Sequence, residues 1–401
     1  MNTPHLRAFL YNSSHQELDD LAKHITTSWF TGVGVAVIDT NAPQHIVDSS
    51  IVAIDPDEVV DITNNYETYI RELAILDEDI SVVSLTSGTT SKPKAVAHTF
   101  QSMENSALAI GESLGIDETD SWLLCLSPKY IAGMAVLSRA YILHQKVSYI
   151  NKFNIQSVAE KIATHNPTLI SLVPAQLRIL LDAEMDLSCF KAILIGGSET
   201  NTETLRECEE LGYNIHRTYG MTETFGGICH DGKLFPNTQA RIVENEIQLQ
   251  TTSMFSSYRH NATLTNSKFT KDGWFKTGDL GSLDKDGNLT VSGRTDDIII
   301  SGGIKIDPIE IENTLQKYVD GDYIIGGIEH SKWGQALTVI FENDIPRGIT
   351  IDIIREKLSH DFENTMLPVQ LGRIESFLKT DSGKIKRRDT LEKSEITSEH
   401  K

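Results

Sequence analysis

The chain has 401 residues, 39% of them hydrophobic, and a formal charge of −20 at neutral pH. Its length exceeds what one ordinary hydrophobic core serves, so two domains are expected. The acidic balance excludes an extended nucleic-acid surface, because a phosphate backbone demands clustered Lys and Arg, but it leaves local nucleotide binding open.

The opening segment MNTPHLRAFLYNSSHQELDD lacks the basic start and long apolar stretch of a signal peptide. No apolar run approaches the ~20 residues that span a bilayer, so no membrane insertion is expected and the cytoplasm is the expected compartment. From about residue 81 short apolar runs alternate with amphipathic stretches. SVVSLT (81–86) reads as a buried strand, followed by a Gly/Thr/Ser loop and a helix over 99–114. WLLCLS, TLISLV and KAILIG are further strands, each followed by a turn or helix, and this alternation predicts an α/β sheet with ligands at the strand C-terminal ends. After about residue 236 the character changes: RIVENEIQLQ and GSLDKDGNLTVSG read as hairpins, the second turning at Asp286-Gly287. A second α/β mixture comes next, with helices over 307–318 and 350–359, strands near 322–328 and 336–341, and a polar, frayed tail over the last ten residues. The expected division is a large domain over 1–295 and a small one over 296–401. Cys125, Cys189, Cys208 and Cys229 are scattered without a CxxC pair, which fits reduced thiols better than disulfides or a zinc site.

Four segments carry chemistry. TSGTTSKPKAV, from Thr86 to Val96, comes directly after a strand and offers backbone N–H groups, hydroxyls and Lys94 to a polyphosphate. It is not the Walker A pattern, and by itself it reads equally as a polar surface loop. In ILIGGSET, Gly196-Gly197-Ser198 end a strand and let a flat ring lie against bare backbone. In RTYGMTET, Tyr219 can stack on an adenine face and Glu223 can hold Mg2+ between phosphates, although Glu223 alone reads better as a solvated carboxylate. In the stretch from Asp272 to Ile306, Asp279 can accept both ribose hydroxyls and Arg294 can donate a planar fork, while Ser301-Gly302-Gly303 form a turn past which a thin ligand can run. In TDSGKIKRR, Lys384 comes after Ser-Gly at a loop tip and can reach an active site, and Lys386, Arg387 and Arg388 read as a basic surface patch.

These segments, in this order, resemble the acyl-adenylate-forming superfamily of acyl- and aryl-CoA ligases, nonribosomal peptide adenylation domains and firefly luciferase, over about residues 81–390. The resemblance implies a large multi-sheet N-terminal domain and a smaller, mobile α+β C-terminal domain, with ATP and Mg2+ as cofactors and CoA as co-substrate. It implies that the loop containing Thr86, Ser87, Gly88, Thr89, Thr90 and Lys94 closes on the ATP phosphates. Gly196, Gly197, Ser198, Tyr219, Gly220, Thr222 and Glu223 then hold adenine, α-phosphate and metal, and Asp279 and Arg294 grip the ribose. Asp296 is the implied hinge, Lys384 the implied catalytic lysine, and Ser301–Gly303 the loop presented to CoA.

SPKYIAGMAVLSRA (127–140), LISLVPAQLRILL (169–181) and RTYGMTETFGGICHDG (217–232) look like o-succinylbenzoate–CoA ligases of menaquinone biosynthesis, the short actinobacterial form in particular. The resemblance then implies small-molecule partners only, an N-terminally shortened large domain, and a homodimer covering the surface so exposed. Ser91 and Ala95 stand where the family has Gly, and Tyr130 stands where many relatives have His. Tyr130, Ser171, Gln176 and Gly227 are candidates for the acyl pocket, Gly226-Gly227 as an open floor under a ring. Lys129, Arg139 and Arg178 join Ser171 and Gln176 as candidates for a second substrate carboxylate. Three alternatives stay open: another aryl- or short-acyl-CoA ligase, a loader of a carrier protein, and a non-catalytic nucleotide-binding relative.

Overall fold

The structure, a computed structural model, describes residues 6–12, 18–62, 67–70, 80–86, 94–198, 200–301, 303–330, 334–379 and 385–400. The chain forms two compact units, Met1–Ala240 with Leu249–Phe275, and Arg241–Gln248 with Lys276–Lys401. Within the second unit the hairpin ending at Arg294 packs with the residues C-terminal to it. A Cβ at Gly293 would lie 3.0 Å from the Asp307 carboxylate.

The first unit holds two seven-stranded sheets. One runs in the order Ser257–Tyr258, Lys94–Thr99, Ile80–Thr86, Gly34–Asp39, Leu6–Tyr11, Glu58–Asp61 and Glu67–Ile70. Its three strands at Leu6–Tyr11, Gly34–Asp39 and Glu58–Asp61 come from the N-terminal region, where the sequence reading assigned no elements, and pair in parallel. The second sheet runs Lys233–Leu234, Gly226–His230, Ile215–Met221, Ala192–Ile195, Leu169–Leu172, Ser121–Leu124 and Lys146–Tyr149. The strands at 121, 169 and 192 are buried on both faces, as their unbroken apolar runs require. The helix Phe100–Leu114 starts where the Thr99 side chain accepts from Ser102 N, and stops where Gly115 turns left-handed at φ 58°. Together with Ile131–Ile142 it packs on the second sheet through a core that includes Trp122, Met103 and Phe225. Among the described residues no helix is long and apolar enough to cross a membrane.

The second unit carries the hairpin Phe275–Leu283 with Leu289–Arg294, turning at Gly287 with φ 82° as expected. Beyond it lies a six-stranded sheet in the order Ile304–Ile306, Ile299–Ser301, Gly334–Glu342, Gln370–Ile374, Glu395–Glu399, with Tyr323–His330 also on Gly334–Glu342. The helix Pro308–Leu315 is capped by Asp307, which accepts from Ile309 N at 3.0 Å, and is shorter than the 307–318 expected. The tail is not frayed: Glu395–Glu399 pairs antiparallel with Gln370–Ile374, filling an edge that would otherwise leave its N–H and C=O groups unpaired. His400 Nδ1 meets Asp352 at 2.8 Å and His330 Nε2 meets Glu399 at 3.0 Å, so this polar edge strand is paired although it faces solvent.

Arg387 corrects the basic-patch reading. Its guanidinium, whose side chain is only 16% exposed, forms a two-pronged ion pair with Glu312 and donates to the Ile325 carbonyl. Glu312 also accepts from Ile325 N, so one buried pair ties the helices Pro308–Leu315 and Arg387–Lys393 to the strand Tyr323–His330. Arg387→Met strands a buried carboxylate and is expected to destabilise the protein by about 3 kcal/mol in urea unfolding. A loss below about 1 kcal/mol would mean that water screens the pair.

Candidate active site

In the first unit the candidate residues lie at strand ends and in the turns that join them. Ile80–Thr86 and Lys94–Thr99 pair antiparallel with Thr86 opposite Lys94, so both residues stand at the base of the connection. Ser87, Gly88, Thr89, Thr90 and Ser91 lie outside the described residues. Ala95, where the family has Gly, is buried within the strand. In the second sheet Ile195 pairs with both Leu172 and Arg217. That register sets Gly196–Ser198 beside the outgoing strand that carries Tyr219. Gly197, at φ 91°, takes a backbone turn that side chains rarely allow.

The strand Ile215–Met221 bulges between Tyr219 and Gly220 as it pairs with Gly226–His230. A Cβ on Gly220 would lie 1.9 Å from the Gly226 carbonyl oxygen, so only glycine passes there. Tyr219 is half-buried opposite Cys229. The turn Thr222–Thr224 is pinned from several sides. The Thr222 carbonyl lies 2.7 Å from His98 Nε2, the Glu223 carbonyl accepts from Phe255 N at 2.8 Å, and Thr224 Oγ1 donates to the Gly226 carbonyl at 2.7 Å. Burial pushes the His98 imidazole down to about 4, so it is a neutral N–H donor. The Glu223 carboxylate is therefore not a freely solvated one: its Oε1 accepts from the Tyr258 hydroxyl at 2.6 Å.

The acyl-pocket candidates separate sharply. Arg178 pairs with Asp182 and Glu207 on the surface, at 2.7 Å and 2.5 Å. Lys129 lies 3.7 Å from Asp39 and against the Tyr130 ring, where Tyr130 caps the helix Ile131–Ile142. Gln176 uses its amide locally, accepting from Val173 N at 3.1 Å and donating to the Cys125 carbonyl at 3.5 Å. Ser171 lies half-buried in a central strand. A Cβ on Gly227 would meet the Thr218 methyl at 2.4 Å, so strand packing, not an open floor, accounts for that glycine.

Arg139 is different. It is 4% exposed, and among the described residues neither Nε nor Nη1 has a hydrogen-bond partner. The guanidinium stacks 4.7 Å from the Trp122 ring, and burial lowers its pKa to about 9, which leaves it a cation at neutral pH. Thr218 Oγ1 and His230 Nε2 are likewise buried without partners among the described residues. His230 is kept neutral by burial first, then by His216 and Arg139 nearby. An unpaired buried cation costs several kcal/mol unless an anion completes it.

In the second unit Asp279 is 6% exposed and stands opposite Arg294 in the hairpin register. Arg294 Nη1 donates to Asp279 Oδ1 at 2.6 Å, and Asp279 N donates to Thr277 Oγ1 at 2.9 Å. Thr277 Oγ1 in turn donates to the Ile247 carbonyl at 2.7 Å, which fixes the strand. Asp296 lies in the short turn Thr295–Asp297, with 73% of its side chain exposed and Arg294 Nη2 at 3.9 Å. Ser301 pairs with Ile304, so the two strands Ile299–Ser301 and Ile304–Ile306 are joined by a short connection. Gly303 sits in it at φ 85° with nothing within 4 Å of a Cβ position, and Gly302 lies outside the described residues. Lys384 also lies outside them, but its flanks are held: Lys379 bridges Ile385, and Lys386 N donates to the Leu378 carbonyl at 2.7 Å. Tyr258 and the Glu312–Arg387 pair went unseen in the sequence, which offers no motif for either.

The family profile described as AMP-binding enzyme matches residues 24–252, more than half of the chain. The chain belongs to the AMP-binding enzyme family. Among relatives of this family, the 2-succinylbenzoate–CoA ligase of Listeria innocua is 32% identical over 78% of this chain and 69% of its own. Among solved structures, o-succinylbenzoate CoA synthetase from Bacillus subtilis in complex with its acyl-adenylate intermediate superimposes with a TM-score of 0.84 at 24% identity, covering 98% of this chain and 89% of that one. The same synthetase with ATP and magnesium ion gives a TM-score of 0.82 at 24% identity, over 96% and 89% of the two chains. The large N-terminal and smaller C-terminal parts of the adenylate-forming fold, expected from the four segments, are thus present.

Proposed function

We infer that this chain is an ATP-dependent, AMP-forming acid–CoA ligase whose acid is 2-succinylbenzoate. Family membership supports the ligase chemistry, and Arg139 carries the choice of acid. A buried guanidinium whose Nε and Nη1 find no partner among the described residues suits a substrate that keeps a second carboxylate away from the reacting one, as a dicarboxylic aromatic acid does.

In the first step a carboxylate oxygen of the acid attacks the α-phosphorus of ATP, the bond to the β-phosphate breaks, and pyrophosphate leaves. In the second, the CoA sulfur attacks the acyl carbon, the thiol proton is released, and AMP departs with the ester oxygen. The Glu223 carboxylate is the hard oxygen donor that a divalent cation prefers, so this residue suits magnesium. Magnesium, when bound, neutralises charge on the phosphates. Thr86 and Lys94, paired at the base of the phosphate loop, serve the polyphosphate. Gly196–Ser198 and Tyr219 flank the adenine, and Gly220 keeps the backbone beside it bare. Asp279 accepts from the ribose hydroxyls while Arg294 holds its carboxylate in place. Lys384 opposes the charge that builds between substrate carboxylate and α-phosphate. The part after the Asp296 hinge turns between the steps, withdrawing Lys384 and offering the Ser301–Gly303 segment to the CoA arm.

Asp279→Ala is expected to weaken AMP binding about 10- to 100-fold, since charge-assisted hydrogen bonds to the sugar are lost in both half-reactions. Calorimetric titration with AMP checks this, and an unchanged affinity would remove Asp279 from the nucleotide site. The route itself is tested with acid labelled by 18O in its carboxylates. Label in AMP is the expected outcome, and label in inorganic phosphate would point to an acyl phosphate and overturn the reading.

A further inference from the structure

Glu223 is reached by a residue that no motif marks. Tyr258 lies on the short strand Ser257–Tyr258, paired antiparallel with the strand Lys94–Thr99 so that Tyr258 stands opposite Val96. Its ring is 3% exposed and packs against Phe255 at a centroid distance of 4.8 Å. Its backbone is held as well, Tyr258 N donating to Thr265 Oγ1 at 3.0 Å. The hydroxyl donates to Glu223 Oε1 at 2.6 Å, a short charge-assisted bond from a side chain with no freedom to swing away. The neighbouring Phe255 N holds the Glu223 carbonyl at 2.8 Å, so one segment grips both ends of the residue.

We propose that Tyr258 is a positioning residue for the metal-holding carboxylate: its hydroxyl occupies Glu223 Oε1, fixes the rotation of the carboxylate, and leaves Oε2 as the oxygen offered to magnesium. The inference rests on the reading of Glu223 as a magnesium ligand. A hydrogen-bond partner behind a carboxylate ligand orients it and tunes its basicity, and loss of such a partner typically weakens metal binding about 10- to 100-fold. Because Tyr258 pairs with the strand that leaves the phosphate loop, the same contact ties the metal ligand to the base of the loop at Lys94.

Tyr258→Phe removes only the hydroxyl and keeps the packed ring. Mn2+ is titrated into the full-length protein saturated with α,β-methylene-ATP and followed by electron paramagnetic resonance, beside Glu223→Gln and the unaltered protein. AMP affinity in EDTA reports the integrity of the nucleotide site. The expected result is Mn2+ affinity at least about tenfold weaker in Tyr258→Phe, an altered Mn2+ spectrum, and unchanged AMP affinity. Mn2+ affinity within about twofold of the unaltered protein would overturn the inference, as would an equal loss of AMP affinity. If Glu223→Gln weakens Mn2+ binding and Tyr258→Phe does not, the role of Tyr258 fails alone. If Glu223→Gln leaves Mn2+ binding unchanged, the metal reading of Glu223 fails and takes this inference with it.

Discussion

Lys384→Ala is expected to lower acid-dependent ATP–pyrophosphate exchange by about 10³-fold and to leave thioester formation from a supplied acyl-adenylate within about twofold. The asymmetry arises from where charge develops. In adenylation a carboxylate approaches a polyphosphate, and a cation between them is worth most in the transition state. In thioester formation a neutral or thiolate sulfur attacks the acyl carbon and AMP leaves, so no carboxylate has to approach a polyphosphate. The described residues on either side of this segment are held: Lys379 bridges Ile385, and Arg387 is anchored on Glu312. Pyrophosphate exchange and single-turnover thioester formation, measured on the same preparation, separate the two steps. Equal loss in both would contradict a lysine used in only one of them.

Arg139→Met should raise the Michaelis constant for 2-succinylbenzoate by about 10²- to 10³-fold, because a substrate carboxylate is left buried without its partner at a cost of roughly 3–4 kcal/mol. Methionine keeps the length and apolar stem that pack on Trp122. The ligand-free protein should be no less stable than before, since the change removes a buried cation whose Nε and Nη1 have no partner. Catalysis with a monocarboxylic acid, which has nothing to offer Arg139, should be little altered. An Arg139 that merely supports the fold would give the opposite pattern, with a lower unfolding temperature and the same preference between acids.

Legibility in the sequence depends on distance along the chain. The phosphate-loop stem, the glycines at 196 and 197, the Tyr219–Glu223 turn and the Asp279–Arg294 hairpin are each local, so residue type and spacing within a few positions reveal them. Even the Asp279–Arg294 ion pair joins residues only one hairpin apart. Tyr258 reaches Glu223 across 35 positions, and Arg387 reaches Glu312 across 75. Neither pair leaves a periodicity or a motif, and Arg387 beside Lys386 and Arg388 looks like any solvated basic run. The N-terminal strands escaped for a related reason. LRAFLY and GVAVID are too short to declare themselves until parallel pairing buries them. The tail strand was hidden by its polarity, which reflects an exposed sheet edge. Arg139 did leave a trace: it is the only charged residue in the helix Ile131–Ile142, though sequence could not say that its Nε and Nη1 find no partner among the described residues.

The most direct measurement is product identification by mass spectrometry after incubating the purified protein with ATP, Mg2+, CoA and a panel of acids that includes 2-succinylbenzoate, benzoate and short fatty acids. Selective formation of the 2-succinylbenzoyl-CoA thioester with stoichiometric AMP and pyrophosphate is the predicted result. Preferential turnover of benzoate or a fatty acid would contradict the assignment of the acid, and with it the role given to Arg139.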